Sequence, residues 1–218
     1  MIHEILPVGW LQCNCSIFGD REGGEAIVID PGDEVERILA VLERRRLRLK
    51  LIAVTHAHID HIGGARKLKE ATGAPVYMHQ ADLGLYRALP QQAEMIGLPA
   101  PPPVTTIDAP LNDGDRVQVG PVSGTVLHTP GHTQGSVCLY FPDASGEKKL
   151  FAGDTLFQGS IGRTDLPGGD TAQIFRSLRD KLLTLDDDTV VIPGHGPLTA
   201  IGREREENPF LQGFGNQR

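Results

Sequence analysis

The chemistry this chain could perform is concentrated in one short run, Thr55-His56-Ala57-His58-Ile59-Asp60-His61, which carries three imidazoles and a carboxylate. Residues two apart at an extended strand end point to the same side, so His56 and His58 can grip one ion. Asp60 and His61 come a step later, as the chain turns into a helix, and can reach a neighbouring ion. Gly63-Gly64 then lets backbone approach closely where side chains would block it. Imidazoles with a carboxylate match borderline metals such as zinc or iron. A lone histidine is usually a packing residue. Four ligand-type side chains at this spacing, straight after an apolar run, read as a metal motif.

Three more residues complete the set. His132 lies in Thr129-Pro130-Gly131-His132-Thr133, Asp154 in Phe151-Ala152-Gly153-Asp154-Thr155, and His195 in Ile192-Pro193-Gly194-His195-Gly196. Each follows a hydrophobic run and sits beside glycine, where residues from different strands converge. Singly each could be a turn residue; together they are hard to explain as turns. Thr133 and Thr155 are placed to orient ligands through their hydroxyls. His3 reads as an exposed terminal histidine, His79 as packed beside the site, and His128 as either a supporting residue or strand-end packing.

The elements that must position these residues can be read from periodicity. Strands are expected at Ile2 to Val8, Ser16 to Phe18 and Ala26 to Ile29. A helix is expected from about Glu34 to Arg46, with Val35, Ile38, Leu39 and Leu42 on one face. Leu49 to Thr55 reads as a buried strand leading into the histidine cluster. Gly63 to Ala71 has a helical pattern that stops at Gly73, and Val76 to Met78 is a strand. A short helix around Ala81 to Leu89 precedes a proline-rich surface loop, Pro90 to Pro103. Further strands fit Arg116 to Val119, Gly124 to Leu127, Val137 to Phe141, Lys149 to Phe151 and Thr189 to Ile192, with a helix at Ala172 to Leu183. Strands alternate with helices in both halves, which suggests two similar halves packed sheet on sheet with helices outside.

The chain has 218 residues, 39% hydrophobic and 22% charged, the size of one compact domain. A formal charge of -7 argues against nucleic acid as the main partner. The densest basic stretch, Arg44-Arg45-Arg46 with Arg48 and Lys50, falls where a helix ends and reads as a solvated cap. Met1 to Leu6 has no basic start followed by an apolar core, so no secretory signal is expected, and no apolar run reaches membrane-spanning length; three cysteines without a disulfide framework make a reducing cytoplasm the expected compartment. Cys13, Cys15 and Cys138 make no disulfide framework. Cys138 reads as a small buried hydrophobe. Cys13 and Cys15 could ligate a metal only with partners that the local sequence does not supply.

The run His56-x-His58-x-Asp60-His61, followed by His132, Asp154 and His195, resembles the metallo-β-lactamase superfamily over nearly the whole chain. The resemblance implies an α/β fold, an αββα four-layer sandwich of two mixed sheets with helices outside, and a single domain spanning residues 1–218. It further implies two divalent metal ions, zinc foremost, with iron or manganese as alternatives. His56, His58 and His132 would hold the first ion, Asp60, His61 and His195 the second, and Asp154 would bridge them. In this family an aspartate equivalent to Asp30 is structural and lies near the ligands.

Three further segments are similar to the short bacterial glyoxalase II group, which hydrolyses S-acylglutathione thioesters: Gly159-Ser160-Ile161-Gly162-Arg163-Thr164-Asp165, Pro193-Gly194-His195-Gly196-Pro197, and Gly202 to Phe210. In longer members a C-terminal helical domain carries part of the glutathione site, and with the tail resembling only the short group, no such domain is expected here. Arg163 stands near where those enzymes set a basic residue against the glutathione carboxylate, with no counterpart of their neighbouring tyrosine. The resemblance implies a small-molecule thioester as substrate, attacked by a metal-bridging hydroxide, with Asp60 and Asp154 as the catalytic carboxylates. A rival on the same fold is the persulfide dioxygenase, which shares Gly162 to Asp165 and uses one iron on the positions of His56, His132 and Asp154. A lactone or other ester hydrolase is a third reading.

Overall fold

Alternation of apolar and polar residues at the N-terminus builds a hairpin of β1 (Ile2–Val8) and β2 (Cys13–Gly19), with Ile2 opposite Gly19 and Val8 opposite Cys13. In the computed structural model, which describes residues 1–98, 105–142 and 146–212, the chain continues through β3 (Glu25–Ile29), α1 (Val35–Arg44), β4 (Arg48–Val54), the single turn α2 (Ile59–Ile62), α3 (Ala65–Thr72) and β5 (Val76–Met78). A 3-10 turn at Gln80–Asp82 leads into α4 (Leu83–Arg87) and α5 (Leu89–Met95). The second half runs β6 (Arg116–Val119), β7 (Val122–His128), β8 (Val137–Phe141), β9 (Lys149–Gly153), a small hairpin of β10 (Leu156–Phe157) and β11 (Ser160–Ile161), and α6 (Thr171–Ser177), which passes into a π-helical turn, Leu178–Leu182. It closes with β12 (Val190–Pro193), β13 (Thr199–Ala200) and α7 (Ile201–Glu207).

The strands form two mixed sheets. One has the order β1-β2-β3-β4-β5 and the other β13-β12-β9-β8-β7-β6. Within them β3, β4 and β5 run parallel, as do β9 and β12, while the other neighbours are antiparallel. Three apolar layers hold this together. Phe18, Ile27, Ala53, Val126, Leu139 and Phe151 fill the space between the sheets. Val35, Ile38, Val41 and Leu42 of α1 and Leu68 of α3 pack with Ile17, Val28 and Val54 on the outer face of the first sheet. Ile174, Leu178, Leu182 and Ile201 cover the second with Leu150 and Val191. Each such side chain contributes about 1.5–3 kcal/mol on burial, before chain entropy is subtracted. The result is the αββα sandwich that the resemblance implied. No helix among the described residues is long and apolar enough to cross a membrane.

Two expectations need correction and a third is extended. The stretch from Pro90 was read as loop, yet Leu89–Met95 is helical. Pro90 lies in its first turn, where the missing N–H would be unbonded anyway; residues 99–104 of that stretch lie outside the described residues. His3 is not an exposed terminal residue. Pairing of β1 with β2 turns its ring inward, edge-on to Phe18 and Phe151 at 5.8 and 5.2 Å, with Nε2 3.2 Å from the Ser16 hydroxyl. The basic cluster is paired as well as solvated: Arg44 and Arg45 meet Glu4, Arg46 meets Glu22, and Arg48 and Lys50 meet Glu25.

What matters for function is where the parallel strands end. β3 delivers Asp30, β4 His56, β9 Asp154 and β12 His195, each at a carboxyl end, and the β7–β8 connection adds His132. All open on one edge of the sandwich, the usual place for a site between parallel strand ends.

Candidate metal centre

Seven residues expected from sequence come together in two adjoining sets. In the first, His58 Nδ1 lies 3.1 Å from His56 Nε2 and 3.0 Å from His132 Nε2. In the second, His195 Nε2 lies 3.0 Å from Asp60 Oδ2 and 3.3 Å from His61 Nε2, and His61 Nε2 lies 3.6 Å from Asp60 Oδ2. Asp154 stands between them, with Oδ1 3.4 Å from His61 Nε2 and Oδ2 3.5 Å from His132 Nε2 and 3.9 Å from His195 Nε2. The one-turn helix α2 accounts for the division: His58 ends the extended segment at its N-cap, and Asp60 and His61 are rotated onto the second set.

The residues fit divalent cations on two counts. Donors held about 2.0–2.1 Å from zinc at tetrahedral angles lie roughly 3.3 Å apart, close to the separations seen within each set. Asp154 Oδ1 is buried without a hydrogen-bond partner, a costly state for a carboxylate oxygen that a cation would relieve. The turn opposite is pressed hard against it. A Cβ at Gly194 would come within 2.1 Å of Asp154 Oδ1 and 2.6 Å of His61 Cε1, so only glycine fits.

Electrostatics separate the two sets. Burial, reinforced by the neighbouring imidazoles, holds His56 well below its usual range and pulls His58 down to about 3. Both are therefore neutral bases with lone pairs to offer. His61 goes the other way: burial opposes it, but the carboxylates of Asp154, Asp60 and Asp30 gathered round it raise it well above 6.5. Burial would also raise Asp60, yet His61 and His195 keep it ionised. A proton on His61 thus does in part what a cation would do, neutralising the carboxylates gathered there.

Four imidazoles are fixed from behind, which sets which nitrogen faces the centre. His61 Nδ1 lies 3.0 Å from Asp30 Oδ2, and Asp30 also accepts from the Thr55 amide and hydroxyl, each at 2.7 Å. The Thr55 hydroxyl lies 3.1 Å from His56 Nδ1. His132 Nδ1 donates to the Arg163 carbonyl at 2.8 Å, and His195 Nδ1 to the Leu11 carbonyl at 3.0 Å. Asp30 itself adopts φ +54°, a left-handed conformation that aspartate tolerates better than most residues.

Several supporting residues were not identified from sequence. Buried Asp82 accepts from the Ala57 and Gly135 amides and the Thr133 hydroxyl, tying the His56–His58 segment to the His132 loop. Gln92, on the helix misread as loop, donates to the Ala57 carbonyl and accepts from the Ile59 amide. Glu204 and Asn208 hold the β10–β11 hairpin through the Gly159 amide and the Ser160 carbonyl. The ligand-orienting roles expected of Thr133 and Thr155 fall to Thr55 instead, because Thr133 bonds Asp82 and Ser136, and Thr155 bonds Thr129. Cys13 does find distant partners: its sulfur lies 3.6 Å from His61 Nδ1, and burial pushes the thiol up to about 12. Arg163 reaches His132 through its carbonyl, while its guanidinium forms a two-pronged pair with Asp165 at 2.8 Å. His79 and His128 stack on each other at 4.1 Å and join no ligand group among the described residues. A pocket bounded by Asp20, Arg21, Glu25 and Arg48 lies at the opposite strand ends, with its charges mutually paired.

The chain is 43% identical to a Haemophilus influenzae protein named hydroxyacylglutathione hydrolase, over 95% of this chain and 97% of that one. Among solved structures it is similar to the BLEG-1 B3 metallo-β-lactamase, with a TM-score of 0.88 and 37% identity over 97% of this chain and all of that one. TTHA1623 in a di-iron-bound form gives a TM-score of 0.85 and 42% identity over 95% of this chain and all of that one. ETHE1 from Myxococcus xanthus gives 0.80 and 30% over 98% and 85%. Residues 8–195 match the model of the metallo-beta-lactamase superfamily, a family of divalent-metal proteins, and with seven His and Asp donors converging where its strands end, the chain belongs to that superfamily.

Proposed function

We propose that this protein is a metal-dependent hydrolase that cleaves thioesters of the S-acylglutathione type. The observation that carries the reading is the Asp154 carboxylate, with one oxygen nearest His61 of one donor set and the other nearest His132 of the other. On this reading His56, His58 and His132 hold one divalent ion, Asp60, His61 and His195 a second, and Asp154 both. Such a pair supplies, when bound, a water acidified from about 15.7 towards about 7 and a Lewis acid for the substrate carbonyl.

The remaining work falls to the chain. Asp60, held ionised 3.0 Å from His195, offers its carboxylate to the second ion and orients the attacking water by accepting its hydrogen bond. Asp30 and Thr55 keep His61 and His56 facing the centre. On this reading the gathered imidazoles and carboxylates are all engaged in holding the ions, so none is set apart as an acid for a poor leaving group. A thiolate, with a parent pKa of about 8.5, leaves without one. This favours a thioester over an amide such as a β-lactam, and the named activity of the Haemophilus relative points the same way. Arg163 is the anchor for a substrate carboxylate, exchanging Asp165 for it.

The persulfide dioxygenase reading uses His56, His132 and Asp154 alone. It leaves no task for the second set, although Asp30 orients His61 and Asp60 closes on His195. The test is thiol release from S-lactoylglutathione, followed with a trapping dye beside an oxygen electrode supplied with glutathione persulfide. Thiol release without oxygen uptake is expected; oxygen uptake without thioester cleavage would hand the case to the dioxygenase.

A further inference from the structure

His195 is held differently from its partners. His61 and His132 have side chains 0% and 3% exposed, whereas His195 is 27% exposed and rides on the turn after β12. Packing alone therefore does not fix it. What does fix it is the end of the β1–β2 connection and the start of β2, at the other end of the sequence. The Leu11 carbonyl takes the Nδ1 proton of His195. Asn14 takes nearly everything else: its side-chain nitrogen donates to the Pro193 carbonyl at 3.0 Å and the Gly196 carbonyl at 2.9 Å, and its backbone amide donates to the Gly194 carbonyl at 2.7 Å.

We infer that Asn14 is the positioning residue of the second metal position, strapping the Pro193–Gly196 turn so that His195 Nε2 meets Asp60 and His61. This rests on the two-metal reading above. A primary amide is suited to the role, because it offers two N–H donors from one atom and both are used. Strand alternation puts it there. Cys13 and Cys15 point into the helix-covered core, which turns Asn14 towards the opposite sheet. The strap crosses from the first sheet to the second. It brackets His195 on both sides, and Gly194 is already pressed against Asp154 and His61. Loosening the turn moves His195 and leaves His56, His58 and His132 in place, since these are held by Thr55, Asp82 and the Arg163 carbonyl.

The test is zinc binding by apo protein in competition with a chromophoric chelator, which resolves the two dissociation constants without any turnover. Asn14→Ala should weaken the second constant by about 10–100-fold, the usual cost of losing a group that orients a ligand, and leave the first within about twofold. Asn14→Asp, which keeps the shape but sets a carboxylate against two carbonyls, should be at least as damaging. Asn14→Ser serves as a second variant if alanine fails to fold. Unchanged constants in folded variants would overturn the inference alone, and so would an equal fall in both constants, which marks a general structural role. Wild-type protein that takes up only one equivalent would overturn the two-metal reading and this inference together.

Discussion

Replacing Asp30 with asparagine separates the orientation of His61 from its burial. The carboxylate accepts three hydrogen bonds, from the Thr55 amide, the Thr55 hydroxyl and His61 Nδ1. Asparagine has nearly the same shape and tolerates φ +54°, so the backbone has no reason to move. One oxygen can still take the Thr55 amide. The new NH2 then faces His61 Nδ1, which must turn acceptor, and the imidazole proton shifts to Nε2, where it blocks ligation. An orienting partner of this kind is worth about 10–100-fold in metal affinity, or about 1.4–2.8 kcal/mol. Losing one hydrogen bond to a buried charge adds about 1.5–3 kcal/mol to the cost of folding the apo protein. Calorimetry should therefore show apo Tm lower by about 3–12 °C. Metal analysis after dialysis against a weak chelator should show the second equivalent lost and the first kept. An Asp30→Asn protein with the expected Tm drop but full retention of both metals would refute the tautomer argument and leave Asp30 a purely structural residue.

Other outcomes follow from the same geometry. His195→Ala should empty mainly the second metal position and His132→Ala mainly the first, with kcat falling more than KM rises in both; full loading and wild-type turnover in His195→Ala would remove it from the donor set. Burial pulls His3 down to about 4 from 6.5, so the unfolded chain takes up this proton first, and stability should fall as pH drops from about 6.5 towards 4. About 2 kcal/mol should be gone by pH 5, and His3→Leu should remove that part of the slope in urea midpoints measured at pH 7 and 5; an unchanged slope would acquit His3. Arg163→Ala should raise KM for an anionic thioester and spare a neutral one, and equal effects would leave the arginine to its pair with Asp165.

The candidate donors were legible because the proposed role needs a particular side chain near a strand end, and strand ends announce themselves as apolar runs, several of them followed by glycine. Their supports were not, for a physical reason. His132 and His195 are oriented by the carbonyls of Arg163 and Leu11, and any residue supplies a carbonyl. Asn14 reads as one polar residue between two cysteines until the second sheet arrives to receive it. Elements were missed where they are too short to show periodicity, as in β13 with two residues, or where local chemistry is ambiguous, as with Pro90. The tail from Gly202 to Phe210 was noticed only as a likeness. Its reason is that Glu204 and Asn208 brace the hairpin leading to the Arg163 carbonyl behind His132.

The central claim is that both donor sets act together across Asp154, and reconstitution tests it most directly. Apo protein is titrated with zero to three equivalents of zinc, iron or manganese, and thioester hydrolysis is measured at each step. The account predicts that activity rises chiefly with the second equivalent and stops rising at two. Full activity reached at one equivalent, with no further gain, would contradict it.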